Sequence, residues 1–318
     1  MKVNLQVEAQ RGLNWARWQK FVPAVESLGF DGLFRSDHFV EDNPPDHDSL
    51  ELWISLTWVA ANTKRIQFGS LVSPVSFRHP VHTARMAKDV DDLSDGRFVL
   101  GVGAGWGARE HAMFGFHLLD TRERFRRWEE GLEVITRLWR SAEPVNFEGR
   151  YFQLRDAVLL PHPRRAGGPP ILIGGNGPRR VLEIAARYGD EWNGIFRSPA
   201  ELRALNAELD TRLRACGREP RAVLRSQMKG MLFGRDSAEV ERKLKARQTR
   251  DPRTRAELLA WGMLIGTSSE IVEQLGQLSD AGMEQVMIQW LDLDDLDGLT
   301  YFAEHVLPQV QPMQAQFE

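Results

Sequence analysis

Apolar and polar positions along this chain follow two periods that take turns. "VNLQVEA", Val3 to Ala9, alternates with the period of two that marks a strand. Next come Trp18, Phe21, Val25 and Leu28 at the three-and-four spacing of one helix face, ending at Gly29. The exchange then repeats: "DGLFRSDHF" as strand and "LELWISLTWVAANT" as helix, "RIQFGSLVSP" as strand, and a helix opened by Pro80 with Met86, Ala87, Val90 and Leu93 on one face. "RFVLGVGAGW" is the fourth strand. Phe125, Trp128, Leu132, Ile135 and Trp139 mark the helix after it, led by a capping box from Asp120 and Glu123. "PVNFEGRYFQL" predicts a small hairpin turning at Glu148-Gly149 before the fifth strand, "PPILIGG". Helix Pro178 to Tyr188, strand "EWNGIF", helix Pro199 to Ala215 and strand "VLRSQMKGMLFG" follow. A charged stretch with helical character interrupts the repeat, and the last unit is a helix from Thr267, the strand "EQVMIQW" and a helix near Leu296 to Val310. Eight strand and helix pairs predict one α/β domain over 1–318, a (β/α)8 TIM barrel, with insertions after strand 4 (about 141–168) and strand 7 (about 235–265).

Composition narrows the class. A formal charge of -3 over 318 residues offers no general attraction for nucleic acid or an anionic membrane. One cysteine, Cys216, excludes an internal disulfide and suits a reducing compartment. "MKVNLQVEAQRG" lacks the regions of a signal peptide, and no apolar run approaches membrane-spanning length, so a cytoplasmic location is expected.

The glycine-rich fourth strand raises a question of chemistry. Gly103 to Ala108 fits G-x-G-x-x-A, a pattern of dinucleotide-binding turns. Such turns sit on a first strand with an acidic residue about 20 positions on, at the end of a second strand. Here that distance falls inside the helix of Trp128 and Leu132, which argues against a Rossmann domain. As strand residues, Gly101, Gly103, Gly105 and Gly107 share one face, open either to a flat ligand or to large neighbours in the core. Asp37 and His38 end the second strand, where barrel enzymes place catalytic groups; a neutral imidazole there can take a hydroxyl proton while a nearby carboxylate orients it. Gly174, Gly175, Asn176 and Gly177 lead into a helix whose free amides can face a phosphate, with Arg179 and Arg180 adding charge. His79 and His82 lack a third ligand, so no metal site is expected. Asp89, Asp91 and Asp92 read as a solvated helix face.

"GRFVLGVGAGWGAREHAMFG" resembles the luciferase-like flavin and deazaflavin oxidoreductases, and so, in order along the chain, do "LGFDGLFRSDHF", "TKRIQFGSLVSPVSFRHP", "RFRRWEEGLEVITRLW", "FEGRYFQL", "PPILIGGNGPRRVLEIAARYGDEWNG" and "GTSSEIVEQLGQLSDAGMEQVMI". The resemblance implies a barrel with a cofactor ring at its mouth and a small-molecule substrate. The Asp-His pair is more similar to members using coenzyme F420 than to FMN monooxygenases. The FMN alternative brings a separate flavin reductase as partner, and a third reading is a barrel that binds flavin without turnover. The family pattern places the cofactor against Val72, Ser73, Gly103, Gly105 and Trp106, with a cis bond at Val72-Ser73 or Ser73-Pro74. It makes Glu110 a loop-fixing acceptor of backbone amides or a contact to cofactor or substrate, and a homodimer is common. The basic run Arg242 to Arg255, with Asp251 its one acid, is expected near the mouth, where it would meet the polyglutamate tail of F420.

Overall fold

Residues 1–177, 179–249 and 251–311 are described by a computed structural model of the protein. Eight parallel strands pair in chain order: β1 (Lys2–Val7), β2 (Gly32–Arg35), β3 (Gln67–Ser70), β4 (Phe98–Gly103), β5 (Ile171–Gly174), β6 (Glu191–Ile195), β7 (Leu224–Phe233) and β8 (Gln285–Gln289). β8 returns to β1 with Lys2 opposite Gln285, which closes a (β/α)8 barrel. The outer helices are α1 (Trp15–Ser27), α2 (Leu52–Asn62), α3 (Pro80–Leu93), α4 (Thr121–Arg140), α5 (Arg180–Tyr188), α6 (Pro199–Ala215), α7 (Ser268–Asp280) and α8 (Leu296–Val310).

Strand alternation decides what each side of the barrel wall carries. Val3, Leu5 and Val7 of β1 face the helices and belong to the main apolar core with Trp18, Phe21 and Val25 of α1. Phe34, Val99, Leu172 and Met287 pack with Leu71 as a separate apolar cluster, one residue from each of four strands. Near the amino ends of the strands a polar group replaces it: Asn193 Nδ2 donates to Ser226 Oγ at 2.7 Å, Ser226 hydrogen-bonds Glu191, and Asn4 Nδ2 donates to the carbonyl of Val286 at 3.2 Å.

Two expectations change. The buried face of α3 runs through Ala84, Ala87, Lys88 and Asp91, so Leu93 is exposed and Asp91 is not on a solvated face. Arg165 reaches Asp91 from 74 residues away, at 3.1 and 3.2 Å, and neutralises it. Asp120 caps α4 by accepting from the Glu123 amide, but the Glu123 side chain turns to Tyr151 and Arg150, so that box is half built. The hairpin (Val145–Glu148 with Gln153–Ala157) lies between α4 and β5. Residues 235–266 form helices Ser237–Gln248 and Arg255–Ala260 and a strand Leu264–Gly266 paired to the end of β7, around a small core of Leu232, Val240, Leu244, Leu258, Met263 and Ile265.

Candidate active site

A cavity of about 520 Å³ opens at the carboxyl ends of the strands. His38 reaches it from the segment just past β2. Its Nδ1 lies 2.9 Å from Glu110 Oε1, and the second oxygen of Glu110 accepts the Phe39 amide at 3.0 Å. Glu110 is 2% exposed, on the short helix Ala108–Phe114 that follows β4. An ionised carboxylate only accepts hydrogen bonds, so Nδ1 carries the proton and Nε2 keeps its lone pair for another partner. Burial pulls the imidazole pKa down, but the Glu110 hydrogen bond and charge, with Glu8 and Asp37 behind them, outweigh it and hold the value above the ordinary 6.5.

Asp37 does not touch His38 in this arrangement. Asp37 turns instead to Ser73 Oγ at 2.8 Å and to both terminal nitrogens of Arg78. Arg78 continues to Glu51 at 2.8 Å, so this ion network ties the end of β2 to the loop after β3 and to the start of α2. Burial raises the Asp37 carboxyl, against the pull of Arg78, Ser73 and Arg35. The carboxylate that orients the imidazole is Glu110, from 72 residues away.

The loop after β3 carries its cis bond at Leu71-Val72, one position before the first of the two expected bonds. Leu71 still donates to the Arg35 carbonyl at 2.7 Å, and Ser73 and Pro74 already run beside Val102 and Gly103 of β4, so the chain turns between them. Val72 then explains the glycines. A Cβ on Gly103 would lie 2.6 Å from Val72 Cγ2, and one on Gly174 would lie 2.8 Å from Cγ1. The face bared by these residues is filled by a valine wedge, with Leu71 and Val72 presented to the cavity. β4 ends at Gly103, and Gly105, at φ +82°, has left the strand, so the four glycines do not continue one face.

Gly174, Gly175, Asn176 and Gly177 line the opposite side of the cavity. The Asn176 side chain clamps the Ile195 backbone through bonds of 2.7 and 2.8 Å, and Gly175 donates to the Asn193 carbonyl at 3.0 Å. The loop is thereby fixed to β6, while the amides of Asn176 and Gly177 have no partner among the described residues. Pro178, expected in the first helical turn, lies outside the described residues; α5 begins at Arg180.

The structure thus gathers Asp37, His38, Val72, Gly103, Gly105, Trp106, Glu110 and Gly174 to Gly177 around one cavity, and leaves Ser73 behind its wall. Trp106 is 60% exposed, its ring edge-on to His38 at 5.2 Å. Sequence reasoning missed Glu8, held at the end of β1 by Gln289 at 2.8 Å, although an acid ending a strand was a legible signal. It also missed Arg124, Met228 and Ile195, which only closure of the barrel brings to the mouth. Residues 235–265 line no part of this cavity among the described residues. Their basic run is largely neutralised: Arg247 and Arg253 share Asp251 at 2.8 Å, Lys243 meets Glu239 and Arg255 meets Glu270.

The description of the luciferase-like monooxygenase family matches residues 3–285. This chain belongs to that family. The luciferase-like chain is 36% identical over 171 residues to an F420-dependent glucose-6-phosphate dehydrogenase of Kineococcus radiotolerans, a match spanning 54% of this chain and 49% of that one, about half of either length. It is 30% identical to a protein of the same name from Beutenbergia cavernae, over 86% of this chain and 78% of the other. Among solved structures, an F420-dependent secondary alcohol dehydrogenase in complex with an F420-acetone adduct superposes with a TM-score of 0.84 at 20% identity, covering 98% and 99% of the two chains. An EDTA monooxygenase from Chelativorans sp. BNC1 gives 0.83 at 20% identity, covering 98% and 93%. At that identity the likeness to the solved structures is one of fold.

Proposed function

We propose that this luciferase-like protein is an oxidoreductase that moves hydride between coenzyme F420 and a small organic substrate, with His38 as the proton acceptor and donor. The carrying observation is the His38–Glu110 pair, which leaves Nε2 open at a cavity walled by Leu71, Val72, Ile195 and Met228. The same cavity fits a flat ring with a phosphate-bearing arm: the Leu71–Val72 wedge makes an apolar wall, and the open amides of Asn176 and Gly177 suit an anion. The names of the relatives from Kineococcus and Beutenbergia support F420 over other hydride carriers.

When bound, the deazaflavin supplies the hydride acceptor or donor. His38 Nε2 takes the proton of a substrate hydroxyl as hydride leaves the carbon that bears it, and returns the proton in the reverse direction. Glu110 stabilises the imidazolium so formed and keeps Nδ1 protonated, which directs Nε2 at the substrate. Trp106, packed against the imidazole, shields it from water on one side.

Oxygenation by reduced FMN is the competing reading, favoured by the family's description and by a 34% identical relative named 4-hydroxyprotoasukamycin monooxygenase, matched over 56% of this chain. Fluorescence titration with F420 and with FMN separates them. The F420 reading expects saturable F420 binding retained by His38→Asn, with turnover of an accepted alcohol lowered about 100-fold or more. Tight FMN binding without F420 binding overturns it, and unchanged turnover in His38→Asn removes that residue from the proton step.

A further inference from the structure

Lys229 is a buried cation with nothing to do in the chemistry above. Met228 lines the catalytic cavity, so Lys229, its neighbour on β7, points through the other face of the strand toward the outer helices. It is 2% exposed. Among the described residues its ammonium group has one partner, the Arg197 carbonyl, and it forms no ion pair. Two of its three N–H donors are left without acceptors among the described residues.

Lys229 lines a second cavity, of about 350 Å³, between the start of α6, the helix Arg255–Ala260 and α7. This volume lies within the range of small-ligand sites, about 300–1,000 Å³. Leu259, Met263 and Leu278 supply its apolar wall. The charged groups facing Lys229 are Arg197 just past β6, Glu201 in the first turn of α6, Arg255, and Glu270 and Glu273 of α7. Glu201 is engaged by Arg197 and by the Ser198 amide, and Glu270 by Arg255 and the Thr267 amide, so neither is free to pair with the lysine, while Glu273 accepts from the Gln277 side-chain amide at 3.4 Å and makes no ion pair among the described residues. Burial, opposed weakly by Glu201 and aided by Arg197, lowers the Lys229 amine to about 7. A buried cation without a counter-ion is costly, and an anion entering the cavity would repay that cost.

We propose that this cavity is a second ligand site, for a short-chain monocarboxylate, with the carboxylate on Lys229 Nζ and the alkyl chain against Leu259, Met263 and Leu278. One amine matches one negative charge. Glu270 and Glu273 line the same cavity and oppose any anion, but a phosphate dianion would bring two negative charges beside them for one buried amine, where a monocarboxylate brings one. The apolar wall has no use in binding an inorganic ion. The site lies outside the barrel wall and does not depend on the cofactor at the mouth.

The test is calorimetric titration of the full chain with butyrate in buffers of low and high ionisation enthalpy, with inorganic phosphate as the comparison. Binding should take up close to one proton per butyrate at about pH 8 and close to none at about pH 6, and affinity should fall about tenfold per pH unit above the lysine's titration. Lys229→Met should abolish both binding and uptake. Leu259→Trp, which fills the cavity from its exposed lip, should weaken binding with the amine intact, so the outcome does not hang on one variant's folding. Absence of saturable binding, binding that survives Lys229→Met, uptake missing at the higher pH, or phosphate binding tighter than butyrate each overturns the proposal. F420 titration of Lys229→Met should match the parent protein, which keeps this result separate from the reading of the mouth.

Discussion

Replacing Glu110 with Gln tests the core of the site with one atom changed. The carboxylate accepts from His38 Nδ1 at 2.9 Å and from the Phe39 amide at 3.0 Å. A glutamine keeps one acceptor and presents an NH2 in place of the other, so one of these two donors loses its partner. A hydrogen bond to a charged group contributes about 1.5–3 kcal/mol and a neutral one about 0.5–1.5, so the imidazolium loses roughly 1–1.5 kcal/mol. That corresponds to about a tenfold fall in any step that charges His38. The stranded donor adds about 1–3 kcal/mol of destabilisation. Because the folded-state value of His38 is raised above its ordinary 6.5, the stability contributed by the charged pair is fully present below that pH and is lost as pH rises through the folded value. Denaturant unfolding of parent and Glu110→Gln at about pH 5.5 and about pH 8.5 should therefore show a stability gap that is wider at the acid end. Histidine-labelled NMR should show His38 titrating lower in the variant. An equal gap at both pH values, with the His38 titration unmoved, would refute the assignment of Glu110 as its partner.

Other perturbations follow from the same geometry. Gly103→Ala places a methyl 2.6 Å from Val72 Cγ2, and should weaken F420 binding by pushing the wedge into the cavity; adding Val72→Ala should restore most of the loss, and additive effects in fluorescence titrations would deny the contact. Arg78→Met leaves the buried Asp37 carboxylate without its cation and should cost about 3 kcal/mol or more in unfolding experiments, whereas a loss within the error of the measurement would make the network ornamental. Glu191, raised by burial from 4.5 to about 7, favours the folded state while protonated, so its contribution is present below 4.5 and lost as pH climbs toward 7. Glu191→Gln should therefore be more stable than the parent by up to roughly 3 kcal/mol at about pH 8 and not at about pH 4.5; a gap independent of pH would contradict the buried-acid account.

The sequence by itself determined what local periodicity can encode. Alternation in "VNLQVEA" and the spacing of Trp18, Phe21 and Val25 specify a strand and a helix because each element must bury one face, and eight such pairs have one common closed solution. The ends of those strands located His38 and the Gly174–Gly177 loop without knowledge of any contact. Barrel closure decided the rest. His38 and Glu110 are separated by 72 residues, Asp91 and Arg165 by 74, and the glycines of β4 and β5 bare their backbone to Val72. No periodicity within a segment carries such pairings, because they depend on which side chains of neighbouring strands and helices come together once the sheet closes. For the same reason Asp37, one residue from His38, serves a different partner. Past the end of β2 the two side chains turn different ways, and only the packed structure shows that Ser73 and Arg78 wait for Asp37 while Glu110 waits for His38.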